Sequence, residues 1–404
     1  MGTRQEEKRM AGSPEHIHSW AKDAPAEWFP WVLDDPHAVR IAEDKDALTW
    51  RRDRSGDPPR EAGVVNPQRY AGGVMPLGGF PTFLGAPMAF TTEDLRASGV
   101  DVALVGLTID DNPVPGARFA ANTMRALRDW MSFPAGGTDN TTGVDWGSLS
   151  VADYGNIGSL ANQPERSLEE VHKVISEILE ADAIPLGVGG AHVQTYGMIT
   201  ALAAKHGPGE FVVLQVDGHA DAYLTDLGRT VHNGSMCKIA IDRGLIKGSD
   251  LVQIGLRGQG HDRRSLEWMR EAGIRYHFQA EINERGWDSV LRRILDEVKG
   301  RKVYLTFDID GIDPGFAPGV GTQDADGLTP RQAMALVRAI GIQNDVIAAD
   351  FLEYNPFTDD AHQSTGVLMD RLIRTLLGGI AARREGISDP FYVDPLRLDH
   401  SQSE

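Results

Sequence analysis

The sequence contains a single cysteine, Cys237, in 404 residues. One thiol cannot form an intramolecular disulfide, which excludes a disulfide-stabilised scaffold and fits a reducing compartment. The first residues lack the apolar segment of a secretory signal, and no uncharged apolar run reaches the roughly 18 residues that a membrane-spanning helix needs. We therefore expect a cytoplasmic protein that does not use a membrane.

Acidic residues outnumber basic residues. The sequence has 58 Asp and Glu and 40 Lys and Arg, which gives a formal net charge of −18. Non-specific binding of nucleic acid requires a basic surface, so nucleic acid is not an expected partner. An acidic chain tends to attract cationic ligands instead. The remaining composition, with 41% hydrophobic and 24% charged residues, is that of an ordinary globular protein.

Residues 1–74 differ from the rest of the chain in composition. Tryptophan, proline and charged residues alternate there, as in the stretch Trp28-Phe29-Pro30-Trp31. Because aromatic clusters are unfavourable in water, we expect this N-terminal arm to pack on its own chain or on a neighbouring subunit. Residues 75–390 are predicted to form a catalytic domain, which a C-terminal tail follows over 391–404.

Apolar runs alternate with segments of helical periodicity from residue 100 onward. A capping-box pattern in Ser167-Leu168-Glu169-Glu170 predicts that one helix begins there. The predicted strands cover 100–106, 150–155, 183–188, 212–216, 251–256, 274–278, 303–310 and 346–351, and the predicted helices include 122–131, 263–272, 286–299, 330–340 and 364–384. This alternation predicts an α/β fold with a parallel sheet and right-handed crossovers, in which ligands bind at the carboxyl ends of the strands.

Polar residues follow four of these strands. They are His192 after Gly189-Gly190, the group Asp217, His219 and Asp221 after 212–216, the pair Asp308 and Asp310, and Glu353. Buried charges must be paired or coordinated, and carboxylate oxygens with imidazole nitrogens suit an ion of the Mn, Ni or Zn type. Two His and four Asp exceed what one ion needs. The pattern therefore predicts two divalent ions that share carboxylates and hold a bridging water as hydroxide near neutral pH.

Each of these residues also has an ordinary structural interpretation. A lone Asp at a strand end is usually a turn or helix cap, and a lone His after two glycines is more often structural than a ligand. The same pattern at three strand ends of one chain is hard to explain by capping. Cys237 has no second catalytic group implied beside it, so a nucleophilic thiol is not predicted.

At the level of whole motifs, the chain resembles the ureohydrolases, which comprise arginases, agmatinases, guanidinobutyrases and related guanidino hydrolases. The resemblance covers roughly residues 75–385. Its motifs are Gly189-Gly190-x-His192, Asp217-x-His219-x-Asp221, His232-x-Gly234, Phe307-Asp308-Ile309-Asp310-Gly311-Ile312-Asp313-Pro314, Pro115-Gly116-Ala117-Arg118-Phe119 and Glu353-x-Asn355-Pro356. It implies a three-layer α/β/α arginase-like fold with a central parallel sheet, a binuclear manganese site (nickel in some members), and hydrolysis of a guanidinium to urea and an amine.

The resemblance also implies roles for individual residues. One ion would be shared by His192, Asp217, Asp221 and Asp308, and the other would be surrounded by Asp217, His219, Asp308 and Asp310. His232 matches the position of a proton shuttle, and Glu353 matches the carboxylate that contacts the guanidinium, so these two and Asp217 are the predicted catalytic residues. The chemistry agrees, because a carboxylate pairs with a planar cation and a His of near-neutral pKa can protonate the departing amine.

The sequence departs from the usual family pattern at three places. Ala191 stands where Asp is common, Gly218 stands where Ala is usual, and the loop 321–328 is polar and acidic where agmatinase-like members have Pro and Gly. A lost carboxylate beside a ligand can retune a metal site. The loop should lie near the pocket, so Gln323 and Asp324 are predicted to contact the substrate. A solvated loop is the alternative.

The resemblance leaves the substrate and the assembly open. The leading hypothesis is a binuclear hydrolase acting on agmatine, guanidinobutyrate or a small guanidine, giving urea or guanylurea. The long arm favours an alternative, which is a nickel-dependent hydrolase of guanidine, alkylguanidines or biguanides of the metformin type. A deacetylase-like enzyme with one Zn and a structural subunit paired with an active paralogue are further alternatives. A homo-oligomer, trimer or hexamer, is the implied assembly, with a hetero-oligomer as its alternative.

Overall fold

The computed structural model describes Trp28 and residues 60–66, 80–110, 120–130, 137–159, 164–223, 230–258 and 263–398. Apart from Trp28 and residues 60–66, the predicted N-terminal arm lies outside these ranges. Trp28 is buried against the body of the chain, where its carbonyl accepts a hydrogen bond of 2.5 Å from the Tyr196 hydroxyl.

Eight strands form one sheet in the described part of the chain. They are β1 (Val102–Leu107), β2 (Val151–Asn156), β3 (Ile184–Gly189), β4 (Val212–Val216), β5 (Leu251–Leu256), β6 (Arg275–Phe278), β7 (Lys302–Asp308) and β8 (Asp345–Leu352). The spatial order is β2-β1-β3-β8-β7-β4-β5-β6, and every neighbouring pair is parallel. The predicted α/β fold with a central parallel sheet is therefore confirmed.

In the described ranges, at least one helix connects each pair of consecutive strands, one helix precedes β1 and two follow β8. The helices are α1 (Thr92–Ala97), α2 (Ala120–Trp130), α3 (Pro164–Glu180), α4 (Thr195–His206), α5 (Met236–Asp242), α6 (Arg263–Ala272), α7 (Gln279–Arg285), α8 (Trp287–Val298), α9 (Pro330–Gln343), α10 (Ser364–Arg384) and α11 (Pro395–Leu398). Short 3-10 turns at His192–Gln194, Asn233–Ser235 and Ile309–Gly311 follow the strand ends that carry the polar motifs. None of the helices in the described ranges combines the length and apolarity that a membrane crossing requires.

Two hydrophobic clusters cover the two faces of the sheet. Side chains along β1 alternate between them, since Val102 and Leu104 join the first cluster and Ala103 and Val105 join the second. Residues of α8, α9 and α10 fill the first cluster, whereas α3, α4 and α5 fill the second. This alternation is what a strand buried on both faces requires, and it produces three layers with the sheet in the middle.

Most predicted boundaries agree with the structure, and β5, α6 and α10 have the predicted limits. The capping-box prediction at Ser167 was wrong, because α3 begins three residues earlier at Pro164 and Ser167 is buried inside the helix. Proline is favoured at a first helical position, since its fixed φ suits the helix and its missing N–H has no partner to lose. Sequence reasoning missed α1, α5 and α7, which have only 6, 7 and 7 residues, too few to show periodicity.

Candidate metal centre and substrate site

The polar motifs converge because their strands are neighbours in the sheet. His192 follows β3, Glu353 follows β8, Asp308 ends β7 and Asp217 follows β4, and these four strands lie side by side at the centre of the order. Their carboxyl ends meet at one edge, where a parallel sheet binds ligands. The predicted set of strand-end residues is therefore brought together in space.

Glycines shape the turn that delivers His192. Gly189 has φ +125°, a conformation open to glycine, and a Cβ on Gly190 would lie 2.6 Å from the backbone oxygens of Leu107 and Ile109. The chain can therefore leave β3 in close contact with β1. The side chain of His192 ends up 1% exposed.

The first candidate ion position is centred on His192. Its Nδ1 lies 3.0 Å from Asp217 Oδ2, 3.0 Å from Asp221 Oδ2 and 3.2 Å from Asp308 Oδ2. This nitrogen is buried and has no hydrogen-bond partner among the described residues. A buried nitrogen that faces three carboxylates has the arrangement of a metal ligand.

The second candidate position is centred on His219. Its Nδ1 lies 3.0 Å from Asp310 Oδ2 and 3.4 Å from Asp217 Oδ1. Asp217 thus presents one oxygen to each imidazole, as a bridging carboxylate does. In both groups, His192 with Asp217 and Asp221, and His219 with Asp217 and Asp310, the ligand atoms lie within 4.8 Å of one another.

The carboxylates are held by backbone contacts that aim their free oxygens inward. Asp308 accepts a hydrogen bond from the backbone N–H of Asp310 at 2.8 Å through Oδ1, which leaves Oδ2 for His192. Asp310 accepts from the backbone N–H of Gly218 at 3.0 Å through Oδ1, which leaves Oδ2 for His219. The site is therefore preorganised by the turns that follow β4 and β7.

Ionisation of this cluster is strongly perturbed. Burial opposes a charge on His192, but the three carboxylates outweigh it and raise the pKa of His192 well above its usual range. The Asp310 carboxylate raises the pKa of His219. Burial, followed by the charge of Asp217, raises the pKa of Asp221 to about 6, and burial with Asp310 raises the pKa of Asp308. The cluster therefore needs positive charge, which protons or divalent cations supply.

Two site residues have unusual backbone conformations. Asp221 has φ +46° and Glu353 has φ +63°, in the left-handed region that non-glycine residues rarely adopt. Such conformations cost about 1–3 kcal/mol and cluster at functional sites. At these positions Asp221 Oδ2 lies 3.0 Å from His192 Nδ1, and Glu353 Oε1 accepts from the backbone N–H of His192.

Glu353 faces the cluster with one oxygen engaged. Its Oε1 accepts hydrogen bonds from the backbone N–H of His192 at 2.7 Å and from Nδ2 of Asn233 at 2.8 Å. Asn233 also accepts from the backbone N–H of Val193 at 3.2 Å. The loop that carries His232 is thereby joined to Glu353, and His232 itself is buried at 4% exposure. Sequence reasoning missed Asn233, which stood unremarked between His232 and Gly234.

A buried polar relay lies behind His192. Its Nε2 lies 2.9 Å from the Thr306 hydroxyl, which lies 3.1 Å from the Thr195 hydroxyl, and Thr195 donates to Asp350 at 3.1 Å. The Tyr304 hydroxyl also donates to Asp350. The sequence analysis did not predict this relay. The residue that could have indicated it is Asp350, a carboxylate inside β8, which is otherwise an apolar strand buried on both faces.

Gln215 is a second polar residue inside a buried strand. Its Nε2 donates to Asp217 Oδ2 at 2.7 Å, and its Oε1 accepts from Gln253 at 2.8 Å and from the Cys237 thiol at 3.2 Å. Cys237 is buried, and burial raises the pKa of its thiol. The thiol therefore contacts the strand that leads to Asp217 and lies behind the candidate site.

The acidic loop is placed beside the cluster. Asp324 Oδ2 lies 3.4 Å from Nε2 of His219. Gln323 is exposed, and its amide donates to the carbonyl of Pro318 at 2.6 Å. Substrate contact by Gln323 and Asp324 stays a prediction. The motif Pro115–Phe119 lies outside the described residues.

Comparison with known proteins identifies the family. The Arginase family profile matches residues 100–378. Human mitochondrial guanidino acid hydrolase is 33% identical over 287 residues, 69% of this chain and 78% of that protein. Guanidinobutyrase of Pseudomonas aeruginosa is 32% identical over 314 residues, 77% of this chain and 95% of that protein.

A solved structure agrees with this assignment. The proclavaminate amidino hydrolase of Streptomyces clavuligerus superposes with a TM-score of 0.68 at 29% identity and covers 76% of this chain and 98% of its own. Its fold is the three-layer arrangement described above. The chain therefore belongs to the arginase family and is a ureohydrolase, a hydrolase of C–N bonds in linear amidines.

Proposed function

We propose that this chain hydrolyses a small cationic guanidino compound at a centre that holds two divalent metal ions. The observation that carries the proposal is the position of Asp217, which presents Oδ2 to His192 and Oδ1 to His219. A bridging carboxylate between two ligand groups is what a binuclear site requires. A single-zinc, deacetylase-like site would leave the second group without a role.

The residues present fit two such ions. His192, Asp217, Asp221 and Asp308 would hold one ion, and Asp217, His219, Asp308 and Asp310 would hold the other. The buried Nδ1 of His192, which has no hydrogen-bond partner within the described ranges, supports this assignment. Oxygen-rich sets with one imidazole suit Mn²⁺, and nickel is the alternative. When bound, two such ions supply Lewis acidity that lowers the pKa of a water molecule towards neutrality.

Glu353 is proposed to bind the substrate cation. Two donors in the described part of the chain converge on its Oε1, which leaves Oε2 to accept from a ligand. A guanidinium is planar and donates paired N–H groups, which a carboxylate oxygen accepts well. Asn233 and the backbone of His192 would thus fix the orientation of the substrate relative to the two ligand groups.

His232 is proposed to transfer a proton to the departing amine. It is buried beside Asn233, which contacts Glu353, so the loop that carries it borders the substrate position. An imidazole has the ordinary pKa closest to neutrality, which suits a general acid at physiological pH. Substitution of His232 by Asn is expected to lower kcat more than it changes KM.

The substrate is proposed to resemble guanidinobutyrate or agmatine. The named activities of the similar guanidinobutyrase and of chicken mitochondrial agmatinase, 34% identical over 274 residues, support this choice. A small guanidine or a biguanide, handled with nickel, is the second candidate. The acidic loop favours it over guanidinobutyrate, because Asp324 brings further negative charge to the site, which suits a cation without a carboxylate.

The test is release of urea or guanylurea from a panel of guanidines. Purified protein, loaded separately with Mn²⁺ and Ni²⁺, is incubated with agmatine, 4-guanidinobutyrate, arginine, guanidine and a biguanide. Turnover of at least one compound, abolished in Asp217→Ala, is expected. Absence of product from the whole panel at full metal occupancy would contradict the proposal, and activity that appears only with a co-expressed paralogue would favour the paired structural subunit.

The assembly is proposed to be a homo-oligomer, a trimer or hexamer, in the cytoplasm. The tryptophan-rich arm supports an assembly role, because apolar aromatic surface is usually covered in solution. Light scattering on the full chain and on a chain that lacks residues 1–59 tests this. An unchanged number of subunits per particle in the shortened chain would exclude the arm from the assembly.

A further inference from the structure

We propose that Asp324 is a positioning residue for His219, so that the acidic loop 321–328 controls how tightly one of the two metal ions is held. The inference rests on the proposed function. It gives the loop a role in metal binding, whereas the sequence predicted that Asp324 contacts the substrate.

The two candidate histidine ligands are supported differently. His192 is 1% exposed at its side chain, and its outer nitrogen meets the neutral hydroxyl of Thr306 at 2.9 Å. The side chain of His219 is 21% exposed, and its outer nitrogen meets the carboxylate of Asp324 at 3.4 Å. His219 is thus the less enclosed ligand and has the stronger acceptor behind it. Carboxylate support of this kind fixes the ring orientation and raises the basicity of the ligand nitrogen.

The backbone of Asp324 is fixed by a buried arginine. Arg257, 8% exposed, donates to the Asp324 carbonyl at 2.9 Å through Nη2 and at 3.1 Å through Nε. The same guanidinium donates to the carbonyls of Asp310 at 2.5 Å and Ile312 at 3.3 Å. Arg257 therefore connects the acidic loop to the turn that carries the ligand Asp310. Its planar fork suits several carbonyls at once.

The carboxylate of Asp324 occupies space that a glycine leaves open. Gly258 has φ +71°, and a Cβ there would lie 2.1 Å from Asp324 Oδ2 and 2.4 Å from its Cγ. The carboxylate therefore lies between Gly258 and the imidazole of His219. Such a fit restricts where this side chain can be, although it remains 30% exposed.

The glycine at position 218, where the family usually has Ala, is explained by the same arginine, Arg257. A Cβ on Gly218 would lie 3.0 Å from Arg257 Nη1 and 3.2 Å from Asp310 Oδ1. Glycine at 218 therefore leaves room for the arginine that holds the loop. Gly218 and the acidic loop, which look unrelated in the sequence, belong to one structural arrangement.

The test compares Asp324→Asn with Asp326→Asn in the full chain. Asp326 is in the same loop but pairs with the Asn283 amide at 3.1 and 2.8 Å, so its variant is the matched control. Metal-free protein is titrated with Mn²⁺ by calorimetry and with Co²⁺ by visible absorption, without substrate. We expect about 10–100-fold weaker binding of one ion in Asp324→Asn, with the other ion and the control unchanged.

Wild-type affinity for both ions in Asp324→Asn would overturn the inference. Unchanged metal binding with a raised KM would also overturn it and would restore Asp324 as a substrate contact. Gly258→Ala is a second variant that tests the same contact. Its added Cβ should displace the Asp324 carboxylate and weaken binding of the same ion. Because metal binding is measured without turnover, absence of hydrolysis would refute the proposed function and leave this result intact.

Discussion

Substitution of Glu353 by Gln tests how the site holds its substrate. Two donors, the backbone N–H of His192 and the amide of Asn233, converge on Oε1. The oxygen of a glutamine must take that position, which turns its NH₂ group to where Oε2 was. The substrate guanidinium would then meet a donor where it needs an acceptor. The variant therefore loses both the charge and the hydrogen-bond acceptor.

The size of the effect follows from the loss of one partner of a charged pair. Removing such a partner costs about 2–5 kcal/mol when the pair is buried. At about 1.36 kcal/mol per tenfold change, kcat/KM for urea release should fall by about 30-fold to about 5,000-fold. Metal content should remain at two ions per chain. Asp326→Asn serves as the control and should retain wild-type kinetics.

The pH dependence gives a second readout for the same residue. Burial raises the pKa of Glu353 to about 7, so the carboxyl protonates as the pH falls through neutrality. Wild-type kcat/KM should therefore decline on the acid side. The effect on the free energy of unfolding runs the other way. Because the pKa of Glu353 is higher in the folded chain than in the unfolded chain, its contribution to stability is lost as the pH rises above the unfolded pKa. Wild-type kcat/KM in Glu353→Gln would refute the assignment.

Three further predictions concern the surroundings of the site. Gly218→Ala should lower the free energy of unfolding by about 1–3 kcal/mol in denaturant titrations, because its Cβ crowds Arg257 and Asp310; unchanged stability would show that the loop can shift freely. Thr306→Val should weaken metal binding to His192 by about 10–100-fold in calorimetry, because it removes the acceptor 2.9 Å from Nε2; an unchanged Kd would exclude the relay from metal binding. Removal of metal by a chelator should lower Tm. At a free metal concentration of 100 times Kd, each bound ion adds about 2.7 kcal/mol to the free energy of unfolding, and the chelator removes that contribution. An unchanged Tm would contradict ion binding in the folded chain.

The fold was predictable because its strands are buried on both faces and its helices are long. Continuous apolar runs such as Val102–Leu107 mark a parallel strand, and α10 repeats its pattern over several turns. The short helices and the true start of α3 at Pro164 were not predictable in the same way. Their limits depend on packing and on one proline, whereas Ser167 matched a local pattern that the folded chain does not use.

The candidate ligands were predictable because parallel strands bring their carboxyl ends together. The residues that support them were not, since support depends on distances between segments far apart in sequence. Asn233 contacts Glu353 across 120 positions, and Arg257 contacts Asp324 across 67. No spacing rule connects such pairs. The buried polar residues Gln215 and Asp350 were the available signal, because a polar group inside a strand needs a partner.

The most direct test of the central claim is a titration of metal-free protein with Mn²⁺ while urea release from the pooled guanidines is measured. The account predicts little product at one equivalent per chain and full activity at two, because Asp217 links two ligand groups. Full activity at one equivalent, or no urea at two, would contradict a binuclear guanidino hydrolase.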